Sequence, residues 1–390
     1  MKIAFIGSRG YPFSYASAED MVREFGPRFV RDGHEVTVHC WATEETRAKG
    51  VRRDVFNGIR RVFHTTPGGK ISGQFFVALK SSIQAAKSDC DIVAYIFINS
   101  AIFSWIPKLA GKKVFVNVNG IMWKDPKWPW GVRHVFFPLG AYLAYLVGDR
   151  IITDSYNMQA LYKGKFRIQI AWCGYGCASE KPEALELQNK YLFIQGYYLI
   201  MSRITPHNLT DVMVDGFIQS GSKSQLLIAG HTPDTPWFRT MRARAEGRNV
   251  TFLGLVRDQS ELNQLILHAR AYLHGHSLGG INPALVRVTG MDTPAICVDT
   301  VFNREVVETP NRRLQACVFE KNPDSLAAAI RKFESNEMNC RNDAAELGQT
   351  IRSTMSWEII YQQYKHYFEE CCSLDSRASE PTHGETGGGS

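Results

Sequence analysis

Across 390 residues there is no apolar run of the ~18–20 residues that a bilayer-spanning helix needs. The nearest, Val135-Phe-Phe-Pro-Leu-Gly-Ala-Tyr-Leu-Ala-Tyr-Leu-Val147, is shorter and is interrupted by Pro138 and Gly140. No basic-then-apolar leader stands at the front, and the sequence goes straight into Lys2-Ile-Ala-Phe-Ile6. The nine cysteines are scattered, odd in number and without framework spacing. That excludes a disulfide scaffold and suits a reducing cytosol. Cys173-x-x-x-Cys177 has no second ligand pair, and no D-x-D-like carboxylate stands beside His274 and His276, so no metal is expected. Behind the first strand stands Gly7-Ser-Arg-Gly10 rather than G-x-G-x-x-G, which sets aside hydride transfer. Basic residues form no arm of the kind that grips nucleic acid. These absences leave a cytoplasmic protein without metal or redox cofactor, resting at most on the cytoplasmic face of a membrane.

What is present is apolar substance and strand–helix alternation. A hydrophobic content of 44% and a charged content of 21% supply enough core for two domains at this length. The net charge of +7 is uneven: residues 1–180 hold 24 Lys and Arg against 14 Asp and Glu, and the remainder is slightly acidic. A basic first half points to anionic partners such as phosphates, a lipid diphosphate or an acidic membrane surface.

Lys2–Ile6 reads as a buried strand, Ala18–Arg31 as a helix ended by Asp32-Gly33, and Glu35–Cys40 as the next strand. That is a βαβ unit and predicts a parallel sheet. Strands at Ile59–Phe63, Ile92–Ile98, Val114–Val118 and Arg150–Thr153 continue it, with helices at Phe75–Ala86 and His134–Val147. A second series begins near Tyr197. Its strands are Tyr198–Ile204, Gln225–Ala229, Val250–Leu253, Ala271–His274, Pro294–Val298 and Cys317–Glu320. Its helices are Leu209–Gln219, one opened by Asp258-x-x-Glu261, Asn322–Ser335 and Arg341–Ser353. The expected fold is α/β: two doubly wound, Rossmann-like domains over 1–180 and 190–352, facing across a cleft that is the default ligand site. Trp357–Cys371 carries aromatics at helical spacing, so 353–372 is expected to cross back onto the first domain. Residues 373–390 read as a disordered polar tail.

The most informative stretch is His274-Gly-His-Ser-Leu-Gly-Gly-Ile-Asn-Pro283, followed by Ala284-Leu-Val-Arg287. A strand runs into Gly279-Gly280, and Asn282-Pro283 then opens a helix. Paired glycines leave backbone N–H groups open to an anion, and a helix N-terminus favours one. His276 lies in the same turn. Arg203 follows the first strand of the second series, with Asn208 opening the next helix, so a guanidinium stands where ligands of open α/β sheets sit. Asn303-Arg304-Glu305 follows another strand end of that domain. In the first domain, Asn117-Val-Asn-Gly-Ile-Met-Trp-Lys-Asp-Pro-Lys-Trp-Pro-Trp130 interleaves tryptophans with Lys124 and Lys127, which suits a sugar or lipid-phosphate acceptor or contact with a membrane surface. Plainer roles stay open: a tight turn at Gly7 and Gly10, a solvated Arg203, a packing loop at the tryptophans.

Taken together these residues resemble glycosyltransferase family 4, of the GT-B fold, and within it the bacterial rhamnosyltransferase-like branch. The resemblance rests on Met1–Tyr15, Gly33-His-Glu-Val-Thr-Val38, Asp154-Ser155, Tyr175-Gly176, His274-Gly-His-Ser277, Gly279-Gly-x-Asn-Pro283 and Phe302-Asn-Arg-Glu305, and covers roughly residues 1–365. It implies metal-independent, retaining transfer of a hexose or 6-deoxyhexose, rhamnose among them. The sugar would pass from a nucleoside diphosphate sugar to a glycan or lipid-linked acceptor in cell-surface polysaccharide synthesis. The second domain would bind the donor and the first the acceptor. By the same resemblance Glu19 and Arg203 are the catalytic candidates. Gly10, Asn208, His276, Gly279, Gly280, Asn282, Pro283 and Arg287 accompany Arg203 at the donor, and Asn119, Trp123 and Lys127 face the acceptor. The chain departs from the family at four places. Ala16-Ser-Ala-Glu19-Asp20 replaces a Gly-Gly-Phe-Glu-Thr, and Asn119-Gly-Ile-Met122-Trp123 lacks two carboxylates. Pro206-His207-Asn208 stands for Pro-Glu-Asn, and Arg287 occupies the place of a ribose-binding Glu. A guanidinium accepts no hydroxyl hydrogen bond. A second expectation therefore stands beside the first: a glycosyltransferase-like binding or partner subunit with impaired catalysis.

Overall fold

In a computed structural model, residues 1–12, 17–66, 70–121, 128–185, 196–308 and 318–378 are described. The first sheet uses β1 (Lys2–Ile6), β2 (Glu35–Trp41), β3 (Arg53–Phe56), β4 (Ile59–His64), β5 (Ile92–Tyr95), β6 (Lys113–Asn117), β7 (Arg150–Thr153) and β8 (Ala171–Trp172). Its helices are α1 (Ser17–Arg31), α2 (Glu44–Ala48), α3 (Lys70–Ala86), α4 (Trp105–Leu109), α5 (Phe137–Val147) and α6 (Tyr156–Phe166). The strand order is β3-β4-β2-β1-β5-β6-β7-β8, parallel except for β3 on β4.

The second sheet uses β9 (Tyr197–Met201), β10 (Gln225–Ala229), β11 (Val250–Gly254), β12 (Ala271–His274), β13 (Ala295–Val298) and β14 (Val318–Phe319). Its helices are α7 (Thr210–Ser220), α8 (Pro236–Ala245), α9 (Gln259–Leu267), α10 (Pro283–Thr289), α11 (Val301–Val307), α12 (Pro323–Ser335) and α13 (Glu337–Met355), and α14 (Trp357–Ala378) ends the described chain. The order is β11-β10-β9-β12-β13-β14, all parallel. In each sheet the chain winds outward from one strand and then restarts on its other side, next to β1 in the first sheet and β9 in the second. The loops leaving these reversal points open a crevice at the strands' carboxyl ends.

Local chemistry explains the helix starts. Ser155, Thr235, Asp258, Asn282, Thr300 and Asn322 each accept a backbone N–H at the head of the helix that follows. The first sheet is buried on both faces. One face (Ile3, Phe5, Ile92, Phe115) packs on α1 and α14, where Phe29 and Phe368 stack at 5.4 Å. The other (Ala4, Ile6, Val93, Val114) packs on α3, α5 and α6. The chain passes between the domains twice at one place: Cys177 N–H donates to Met355 O and Trp357 N–H to Cys177 O, both at 2.8 Å.

Three expectations are corrected. The strands read as reaching Ile98 and Ile204 end at Tyr95 and Met201, and their last residues turn instead into loops at the crevice. The tail read from residue 373 is helical through Ala378, because Ser373-Leu-Asp-Ser-Arg-Ala378 contains no Gly or Pro to stop α14; residues 379–390 lie outside the described residues. The interrupted run 135–147 is a π-helical turn joined to α5, with Pro138 in the first turn of the α-helix, where it costs no hydrogen bond. Among the described residues no helix is long and apolar enough to cross a membrane.

Candidate functional site

Arg203 follows β9 directly and is exposed, and its guanidinium makes no hydrogen bond or ion pair with the described residues. Its backbone is held: Asn208 Nδ2 donates to Arg203 O at 2.7 Å. The other end of the same buried amide, Oδ1, lies 3.2 Å from His276 Nδ1. His276 O accepts from Asn303 Nδ2 at 3.1 Å, and that amide also donates to Val298 O at 2.9 Å. Asn208 thus ties the loops after β9 and β12 to one another, and Asn303 ties the β12 loop to the end of β13, while Arg203 stands exposed. Asn208 itself is spent on this bracing. Asn282 is likewise committed, since its Oδ1 caps α10 through Ala284 N–H at 2.9 Å with Pro283 at the first helical position.

The paired glycines serve more than an open backbone. Gly279 adopts φ +97°, and a Cβ there would come 3.8 Å from Gly120 Cα of the first domain. A Cβ on Gly280 would come 2.9 Å from Asp154 Oδ1. Gly279 needs glycine for its left-handed backbone, since 3.8 Å is ordinary contact, and Gly280 needs it because Asp154 of the first domain presses against it. Asp154 follows β7 and is almost wholly buried, and its Oδ1 makes no hydrogen bond among the described residues. Burial first, and the nearby Glu305 carboxylate second, push its carboxyl up to about 7.

Glu305 of α11 reaches across the cleft to the start of α6. It accepts from Ser155 Oγ (2.7 Å), Tyr156 N (2.6 Å), Asn157 N (3.2 Å) and Asn157 Nδ2 (2.9 Å). A carboxylate at a helix head satisfies orphan donors and meets the positive end of the dipole. Glu305 therefore fastens the domains together rather than lining the cleft for a ligand.

On the first-domain side, Glu19 is buried in α1 and its Oε1 accepts Arg9 N–H at 2.8 Å. Its carboxylate braces the Gly7–Gly10 loop, where a Cβ on Gly10 would meet nothing within 4 Å. Asn119 Nδ2 donates to Ile96 O at 3.0 Å, and its Oδ1 makes no bond among the described residues. Trp123 and Lys127 lie outside the described residues. Of the remaining tryptophans in that loop, Trp128 is buried against Phe75 and Phe137, and Trp130 is 67% exposed.

Arg287 is half-buried on α10. Its guanidinium is held by Asn263 Oδ1 (2.5 and 3.2 Å) and by Gln259 Oε1 (2.9 Å) of α9, with no carboxylate in ion-pair reach among the described residues. Burial pushes its pKa down, while the field of Asp20 across the cleft opposes that shift; the group remains a cation. His274 is buried against Tyr272 OH at 3.1 Å and is pushed down to about 3 by burial and by His276, so it is neutral and structural.

Residues 190–353 match the family model described as glycosyl transferases group 1. No curated protein sequence matches the chain. Solved structures do match it. Sucrose-phosphate synthase from Thermosynechococcus elongatus superposes with a TM-score of 0.77 at 15% identity, over 96% of this chain and 99% of its own. Anabaena HepE in complex with UDP and glucose gives 0.73 at 15% identity, over 95% and 100%. The α,α-trehalose 6-phosphate synthase of Burkholderia multivorans gives 0.71 at 9% identity, over 98% and 99%. The fold is GT-B. In this GT-B chain the matched segment contains Arg203, Asn208 and the His276–Arg287 stretch, all on the second-domain wall of the cleft.

The sequence singles out Arg203 and the glycine loop, and the structure ties the Arg203 backbone through Asn208 to His276, three residues ahead of Gly279. Nothing in the sequence alone assigns a role to Asp154, Gln259 or Asn263. Asp154 was visible only as part of a matching dipeptide, and its burial against Gly280 is a tertiary fact with no local signal.

Proposed function

We propose that the chain transfers a glycosyl group from a nucleoside diphosphate sugar, held by the second domain, to a glycan or lipid-linked acceptor held by the first. One observation carries the reading. Arg203 presents a guanidinium with no partner among the described residues, on a backbone tied through Asn208 to His276 of the loop that leads to the paired glycines, inside the segment matching glycosyl transferases group 1. As the C–O bond at the anomeric carbon breaks, negative charge collects on the leaving diphosphate. A cation and open amides already in place stabilise that charge without reorganisation. The reading assigns this task to Arg203 and, by the family 4 resemblance, expects no metal. UDP and UDP-glucose in the HepE complexes support a nucleotide sugar as donor. Retention of configuration, a hexose or 6-deoxyhexose such as rhamnose, and a place in cell-surface polysaccharide synthesis follow from the family 4 resemblance and belong to this proposal.

The test is calorimetric titration of nucleoside diphosphates, followed by turnover with a panel of their sugars. The intact chain binds at least one diphosphate, and Arg203→Ala weakens it roughly tenfold or more with the melting temperature unchanged. Equal affinity in the variant removes the reading. The binding-subunit alternative has its own support, because Arg287 is a cation held by the neutral amides of Asn263 and Gln259. Diphosphate binding with no transfer or donor hydrolysis by any sugar nucleotide selects it.

A further inference from the structure

Among the described residues, ten of the seventeen large hydrophobic side chains that are exposed lie in one outer layer of the first domain: Phe76, Ile83, Trp105, Leu109, Trp130, Val135, Leu139, Tyr142, Tyr145 and Leu146. The layer is built from α3, α4 and α5, which pack on the same face of the first sheet and touch in that order. Over its eleven residues α5 has no charge, and it buries only Phe137, Gly140, Ala141 and Ala144. Val135, Leu139, Tyr142 and Leu146 recur on its outer side at helical spacing, all at least 49% exposed. The outer side of α3 reads Phe76, Lys80, Ile83, Lys87, all exposed, alternating apolar and basic groups.

The surrounding charge is one-sided. Among the described residues from Phe76 to Val147 stand Lys80, Lys87, Lys108, Lys112, Lys113 and Arg133 against Asp89 and Asp91, and Lys108 and Lys113 pair with Asp149. Asp89 and Asp91 are bonded to the side chain and backbone of Lys2 at the amino end of the sheet. The helices α3 and α5 follow β4 and β6, so their chain leaves the carboxyl ends of those strands on the cleft side and runs away from it, with Trp130 just ahead of α5. At ~1.5 Å per residue α5 is far too short to span a bilayer. Apolar side chains ringed by lysines, with Trp and Tyr among them, suit the boundary between headgroups and acyl chains.

We propose that the α3–α4–α5 face docks the protein onto an anionic bilayer surface, its leucines and aromatics entering the headgroup boundary and its lysines meeting lipid phosphates. The docking brings the cleft rim to the plane in which a lipid-linked acceptor lies. Only that last consequence rests on the proposed transfer reaction.

The test is flotation of the full chain with phosphatidylcholine vesicles, without and with phosphatidylglycerol. The chain floats with the anionic vesicles, and the bound fraction falls as salt rises. Leu139→Glu/Leu146→Glu lowers partitioning on the order of tenfold or more, and Lys80→Ala/Lys87→Ala lowers it about tenfold on anionic vesicles. Met338→Glu, an exposed apolar position of the second domain (73% exposed), leaves it unchanged. Both lysines are exposed, and the one bond lost is that of Lys80 Nζ to Thr65 O, so unchanged melting temperature and circular dichroism of the variant accompany the assay. Nucleoside diphosphate binding, measured on the same samples, stays as in the intact chain, which separates this proposal from the transfer reading. Failure to float at any anionic content, equal flotation of all variants, or a dimer in solution that Leu139→Glu/Leu146→Glu dissolves overturns the proposal.

Discussion

Replacing Glu305 with Ala removes the clamp between the two domains. Four donors at the start of α6 lose their acceptor: Ser155 Oγ, Tyr156 N, Asn157 N and Asn157 Nδ2. A hydrogen bond to a charged group contributes about 1.5–3 kcal/mol when shielded, but Glu305 is only half-buried and Tyr156 is exposed, so solvent takes back much of it. A lost helix cap costs about 1 kcal/mol, and the charge at the positive end of the dipole adds about 0.5 kcal/mol. A total of about 1.5–2 kcal/mol shifts the closed-to-open equilibrium by roughly tenfold to thirtyfold. Hydrogen exchange reads this directly: the amides of Tyr156 and Asn157 exchange faster by that factor, and the scattering radius of gyration rises as the domains part. Glu305→Gln keeps an acceptor without the charge and falls between. If both amides keep their protection and the radius stays the same in Glu305→Ala, the clamp does not hold the domains and the reasoning fails.

Asp154 supplies a pH dependence. Its carboxyl is raised to about 7 in the folded protein, against about 3.9 in an unfolded chain. The stabilisation of the protonated form is complete below about pH 4 and is lost as pH rises toward 7. The melting temperature of the intact chain therefore carries a component that falls over that window, and Asp154→Asn flattens it; an unchanged pH profile contradicts the assignment. Gly280→Ala puts a Cβ 2.9 Å from Asp154 Oδ1, which costs about 1–3 kcal/mol and opens the cleft; scattering indistinguishable from the intact chain refutes the close approach. Arg287→Glu trades a guanidinium seated on Asn263 and Gln259 for a hydroxyl acceptor facing Asp20. Donor turnover that appears only in this variant supports the binding-subunit reading, and turnover already present in the intact chain removes it.

The strand–helix alternation was legible because it is written locally, in β-branched runs, Asp32-Gly33 and capping residues such as Asp258. Arg203 and Gly279-Gly280 were legible for the same reason, each standing at a strand end. The bracing around them was not. Asn208 meets His276, and Glu305 meets Ser155, across 68 and 150 residues of chain, and no spacing rule records such pairs. Short helices such as α10 and α11, seven residues each, carry too few turns to show a period. The glycine pair was read as open to ligand, whereas the additional demand on Gly280, close approach of Asp154 from the first domain, exists only in the folded molecule.

The most direct test of the central claim is a crystal structure of the chain with a bound nucleoside diphosphate. The account predicts its phosphates within hydrogen-bond reach of the Arg203 guanidinium and the backbone N–H groups of the His276–Gly280 loop. Phosphates bound elsewhere, with Arg203 still turned to solvent, contradict it.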